Sequence, residues 1–163
     1  MKPIILISGE DGFDHRSGSP HLLVSRHYPK AVSQAGGAPV LATDIRVAEE
    51  YVGIATGLLL THGPVIHPSR FGQIALSFDD IKGFSDTRDD LDFTLCYAFL
   101  KAGKPVMAIG RGARVLGITL DKHFSDKRET LNYIGIGFSK NMFGKNIPEF
   151  SSFIDMCQEV SGR

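Results

Sequence analysis

Five short bursts of apolar residues, at 3–8, 38–42, 57–61, 105–109 and 132–138, punctuate the chain, and most are separated by stretches with helical spacing. Runs this short that are apolar on both faces suit the central strands of a parallel sheet covered on each side. Residues 28–35 place Ala31, Val32 and Ala35 on one helical face and stop at Gly36-Gly37, a C-terminal signal. A shorter helix is predicted over 47–54. The clearest spans 87–102, with Asp86 as N-cap, Asp89 and Asp90 in its first turn, and Gly103 and Pro105 beyond its end. Residues 111–118 follow the fourth strand directly, and 147–160 carry Phe150, Phe153, Ile154 and Cys157 at helical spacing. Strand alternating with helix implies right-handed crossovers and a three-layer α/β/α sandwich with a mainly parallel central sheet. A functional site then belongs beyond the carboxyl ends of the strands, in the loops 9–27, 61–83, 110–112 and after Phe138.

The chain's 163 residues suit one domain spanning 1–163. Lys plus Arg and Asp plus Glu each number 18, so no global field favours a polyanion or an acidic membrane face, and a general nucleic-acid binder is excluded. The composition, 42% hydrophobic and 22% charged with 18 Gly, is that of a folded chain rich in turns rather than a disordered one. The longest apolar runs, 4–7 and 52–60 with Gly53, Thr56 and Gly57 inside it, are too short to span a bilayer. Four apolar residues between Pro3 and Ser8 are too few for a secretory core. Cys96 and Cys157, the only cysteines, both fall in helical patterns, which predicts packing thiols in a reducing cytoplasm rather than a disulfide.

After the fourth strand the chain reads AIGRGARVLG, residues 108–117, a strand turning sharply through Gly110, Arg111 and Gly112 into a helix. Gly110 and Gly112 match the first two glycines of a dinucleotide fingerprint, with helix N-terminal amides free for a phosphate. Val115 stands where the third glycine is needed, and the turn follows a late strand instead of opening the first β-α-β unit. The other reading is a nucleophile elbow, a strained turn that displays a Ser or Cys at a strand tip while the following amides form an oxyanion hole.

Three blocks in order, YPKAVSQAGGAPVLAT (28–43), GLLLTHGPVIHPSRFG (57–72) and DTRDDLDFTLCYAFLKAGKPVMAIGRGARVLGITL (86–120), resemble the class I glutamine amidotransferase-like family. The likeness is to its γ-glutamyl hydrolase (peptidase C26-like) branch, which includes γ-glutamyl-γ-aminobutyrate hydrolases. The second block resembles a Leu-Leu-Thr-Gly-Gly-Pro-Asp-Val-Asp-Pro loop, and the third an Arg-Asp pair before a helix and a Gly-Ile-Cys-Arg-Gly elbow. The resemblance implies a flavodoxin-like sheet and acyl transfer through a cysteine, with no cofactor.

The departures from that pattern bear on chemistry. Gly110 stands where the nucleophilic Cys belongs, and it keeps the turn while removing the strain of a side chain at positive φ. His62, Gly63 and Pro64 replace a Gly-Gly-Pro loop, so a Cβ at position 62 is expected to crowd an oxyanion donor. With the last strand and helix in register with the family's Gly-Val-Gln-Phe-His-Pro-Glu segment, Ser139 takes the His position and Asn141 the Glu position. Neither can serve as general base. Only a dozen residues separate Leu120 from Asn132, a shortened version of the segment the family fills with further strands.

His62 and His67 share a loop, yet two histidines without a carboxylate pair predict no metal site. Arg88 and Asp89 are expected to brace the start of their helix through a salt bridge, and nothing in the spacing brings Ser139 to His123. The helix over 87–102, apolar nearly all round, suggests an oligomer interface. A triad-less binding or regulatory subunit follows, catalytically inactive and associating with itself or with an active relative. Its expected ligand is a γ-glutamyl compound or another small anion at His62, Gly63, Pro64, Gly110, Arg111 and Gly112, with neither nucleic acid nor membrane as partner. The alternative is an active γ-glutamyl amide hydrolase that activates water with His62 or His67.

Overall fold

The computed structural model describes residues 1–162. Its centre is a five-stranded sheet of β1 (Ile4–Ser8), β4 (Ala38–Ala42), β5 (Gly57–Leu60), β6 (Val106–Ile109) and β7 (Tyr133–Ile136), all neighbours parallel, in the order β4-β1-β5-β6-β7. Counting only these strands the order is 2-1-3-4-5, the flavodoxin-like arrangement, with its switch point between β1 and β5. Each central strand is buried on both faces because its alternate residues serve two cores. Ile5, Ile7, Leu59, Met107 and Ile109 pack on α1 (His27–Gln34) and α5 (Pro148–Ser161). Leu6, Leu58, Leu60, Val106 and Ala108 point the other way, to α2 (Ala48–Ile54), α3 (Asp86–Lys101) and α4 (Arg111–His123).

Three local expectations are corrected. Residues 9–27 are not all loop: β2 (Glu10–Asp14) and β3 (Ser19–Leu23) form an antiparallel hairpin apart from the main sheet. The N-cap of α3 is Ser85, not Asp86, because the Ser85 hydroxyl accepts the Arg88 amide at 3.1 Å. The helix after β6 runs on to His123, its apolar Val115, Leu116 and Leu120 buried against the sheet.

The apolar girth of α3 is taken up largely within the chain, since Leu91, Leu95, Cys96, Phe99 and Leu100 are all buried and Tyr97 alone of its large apolar residues is exposed. No helix of the described residues is long and apolar enough to cross a membrane.

Candidate functional site

The tip of β6 is Gly110, flanked by the carboxyl ends of β5 and β7. This residue sits at φ 58° and ψ −113°, a conformation that strains any residue with a side chain, and α4 begins at the next residue. Its amide donates to Ile136 O at 2.8 Å, pinning the tip of β6 to β7. Gly112 serves packing instead of ligand approach, because a Cβ there would collide with the Leu60 carbonyl group. The first turn of α4 therefore lies directly on β5.

His62 reaches this elbow from the end of β5. Its ring is stacked on Phe138, with centroids 3.9 Å apart and planes 7° from parallel. A Cβ added at Gly110 would strike His62 Nδ1 and fall 2.8 Å from Phe138 Cβ, so the two rings fill the space above the elbow. Nδ1 accepts the Arg111 amide at 3.2 Å, which engages the first free N–H after the turn, and the neutral ring then carries its proton on Nε2. Burial lowers the His62 pKa, Arg88 and Arg111 lower it further, and Glu10 opposes them. The backbone of His62 is fixed as well: its N–H donates to Tyr28 Oη at 3.1 Å and its carbonyl accepts from Arg88 Nη2 at 3.3 Å.

Beneath this loop lies a buried ionic cluster. Arg88 Nη2 donates to Thr61 O at 3.0 Å and Thr61 Oγ1 at 2.8 Å, while Nη1 donates to Glu10 Oε2 at 3.2 Å. Arg111 Nη1 donates to Asp92 Oδ2 at 2.6 Å and Nη2 to Asp89 Oδ1. Arg88 and Asp89 thus do not brace one helix end through a pair of their own; Asp89 turns to Arg111 and to the His67 amide, and Arg88 to the β5 loop. The Arg111 guanidinium, buried between two carboxylates, is already paired and is not a free cation for an anionic ligand. Burial raises the Asp92 pKa against the pull of Arg88 and Arg111, and lowers that of Arg88. Arg88 Nε, Asp92 Oδ1 and Arg111 Nε have no hydrogen-bond partner among the described residues. Gly63 has its own reason to lack a side chain, since a Cβ would collide with Arg88 Nη1.

Next to the His62 loop is a cleft of about 240 Å³ whose lining includes Glu10, Tyr28, Thr61, His62, Gly63, Phe138, Lys140 and Phe143. Of the expected ligand residues it takes in His62 and Gly63 but not Gly110, Arg111 or Gly112, which lie covered beneath the His62 and Phe138 rings or packed on β5. Glu10, Tyr28 and Lys140 were not legible as site residues from the sequence. Tyr28 is buried inside its helix pattern, and Glu10 reaches the cleft only because the hairpin turns it inward. Pro64 is part-buried beside Gly63, outside the cleft lining. Ser139 and Asn141 are exposed on the loop after β7. His123 ends α4, which runs back from the elbow, so it lies at the opposite end of the sheet from Ser139, against Tyr97.

His62 and His67 have separate partners. His67 Nδ1 meets Ser69 Oγ at 2.8 Å and its ring packs on Phe84. No cluster of three or more His, Cys, Asp or Glu suited to a metal occurs among the described residues. Cys96 and Cys157 are buried, one in each core, with thiols pushed up to about 12 by burial.

No curated protein matches the chain. The pattern of the Peptidase C26 family matches residues 3–135, from the start of β1 into β7, and so takes in the His62 loop, Arg88 and the elbow while ending before Ser139 and Asn141. With the parallel sheet, the sharp turn at Gly110 and the loops around it in place, the chain belongs to the Peptidase C26 family, a class I glutamine amidotransferase-like family.

Proposed function

We propose that this chain is a catalytically inactive member of the γ-glutamyl hydrolase branch, a binding or regulatory subunit whose cleft takes a γ-glutamyl compound or another small anion-bearing ligand. One observation carries the reading: the His62 ring occupies the space over Gly110 and engages the Arg111 amide. Covalent acyl transfer needs a thiolate or alkoxide at the elbow, a base to generate it and donors for the oxyanion. Gly110 offers no attacking atom, and the buried thiols of Cys96 and Cys157 remain protonated within the two cores. The first oxyanion donor is engaged by an imidazole whose remaining ring nitrogen is a donor, not a base. Ser139 and Asn141, at the family's His and Glu positions, supply no base either. A protein without turnover acts by binding, so self-association or association with an active relative belongs to the same reading.

Purified protein incubated with γ-glutamyl-γ-aminobutyrate, glutamine and a chromogenic γ-glutamyl amide is expected to give no turnover above buffer. A rate that His62→Ala or His67→Ala abolishes would establish the hydrolase instead. In a thermal-shift series with glutamate and glutamine, a ligand at 100 times its Kd stabilises by about 2.7 kcal/mol. Light scattering on the same sample reads self-association.

A further inference from the structure

A larger cavity of about 320 Å³ lies behind the cleft, between α1 and the start of α5, and the His27 and Phe143 side chains stand between the two. Lys30 and Lys145 line it together with His27 and Asn146, over a floor that includes Phe143 and Phe150. No Asp or Glu lines it. In a chain whose 18 basic and 18 acidic residues balance, a cavity with two ammonium groups and no carboxylate is a local departure. Lys30 and Lys145, like the other lysines, take part in no salt bridge among the described residues, so no carboxylate already neutralises them. The rings of His27 and Phe143 are parallel within 6° at 5.2 Å, forming an aromatic rim beside the cations.

We propose that this cavity is a second ligand site, distinct from the His62 cleft, for a small phosphorylated molecule carrying an apolar or aromatic body. Lysine ammonium groups bind phosphate as point charges and need no planar partner, whereas a carboxylate is matched best by an arginine fork. The cavity contains no arginine. Its volume sits at the small end of ligand sites, and its apolar floor and ring pair suit a body that phosphate alone lacks.

Calorimetric titration at low ionic strength, where screening is weakest, separates the sources of the phosphoryl group. Phenyl phosphate is expected to bind, inorganic phosphate to bind several-fold more weakly, and phenol not at all. The exposed pair Lys30→Gln and Lys145→Gln, made together, is expected to weaken phenyl phosphate by about tenfold, roughly 1.4 kcal/mol, with an unchanged melting profile. His62→Ala is expected to leave its affinity as it was. Absence of phenyl phosphate binding, or equal affinity in the lysine variant, overturns the site. Loss on His62→Ala moves the ligand to the cleft and also overturns it, and inorganic phosphate binding as tightly as phenyl phosphate overturns the organic body. The γ-glutamyl turnover assay fails or succeeds independently of all four results.

Discussion

The imidazole of His62 lies parallel to the ring of Phe138 at a centroid separation of 3.9 Å, directly above a glycine whose φ is 58°. Restoring a thiol under that stack is therefore costly twice over. Gly110→Cys forces a side chain into a positive-φ conformation, about 1–3 kcal/mol, and drives Cβ into His62, a further overpacking cost of about 1–3 kcal/mol. Urea unfolding is expected to show both losses, and adding His62→Gly to recover only part of the second, because Phe138 Cβ still lies 2.8 Å from the added Cβ. Gly110→Cys as stable as the parent would mean that the rings do not fill the elbow. Neither variant is expected to hydrolyse γ-glutamyl amides, since no base accompanies the thiol.

Protonation of His62 works against the fold. Burial, then Arg88, hold its pKa below the ordinary 6.5, and protonated Nδ1 can no longer accept the Arg111 amide. The unfolded chain therefore binds the proton at a pH where the native state does not. The contribution of His62 is whole above about pH 6.5 and is lost as pH falls through its lowered native value. Urea midpoints between pH 8 and pH 5 are expected to decline more steeply for the parent than for His62→Asn, which has no ring to titrate. Parallel declines would show that His62 is free to protonate.

Much of the fold could be read directly because its physics is local. The strands β1, β5 and β6 are apolar on both faces since both faces are buried, and Gly36 and Gly103 mark helix ends with the positive φ they were expected to supply. The hairpin escaped because its pattern is inverted: Glu10, Gly12 and Asp14 turn inward while Phe13 stays 54% exposed. A strand that sets a half-exposed carboxylate against a buried arginine looks like a loop. Of the candidate site, the sharp turn at Gly110 followed from residue types, whereas the engagement of the Arg111 amide by the His62 ring, where only a crowding Cβ was expected, and the partners of Arg88 and Arg111 did not. Arg88 and Asp89 are helix neighbours that point about 100° apart, and their ionic partners depend on how α3 and α4 pack, which no spacing encodes.

Those partners make Arg111 a structural residue. Its guanidinium is the shared counter-ion of Asp89 and Asp92, both fully buried, and Arg88 reaches only the second of them, through Nε at 3.5 Å from Asp92 Oδ2. Arg111→Met keeps much of the stem but leaves Asp89 with only Arg70, part-exposed and 3.9 Å away, and Asp92 with only Arg88. Removing one partner from a buried ion pair costs about 3–5 kcal/mol, so the variant is expected to lose that much in urea unfolding. A loss below about 1 kcal/mol, the range of exposed pairs, would place the cluster in contact with water.

The two thiols test how tightly the layers close on the sheet. Cys96 is packed among α3, α4 and the sheet, and Cys157 faces Gly57, where even a Cβ would press on its Sγ at 2.5 Å. Burial pushes both thiols up to about 12, and the thiolate is the species that attacks a disulfide reagent. With access and ionisation both denied, reaction with an aromatic disulfide at pH 8 is expected only after opening of the fold. Native protein should release no coloured thiolate over minutes, and urea-unfolded protein should release two equivalents per chain, matching its two cysteines. The native rate should follow the population of open molecules, and so rise in Gly110→Cys and Arg111→Met by about tenfold for each 1.4 kcal/mol of lost stability, once the added thiol of the first has been counted separately. A rapid native equivalent in the parent would mean that one of the two helices, α3 or α5, stands away from the sheet.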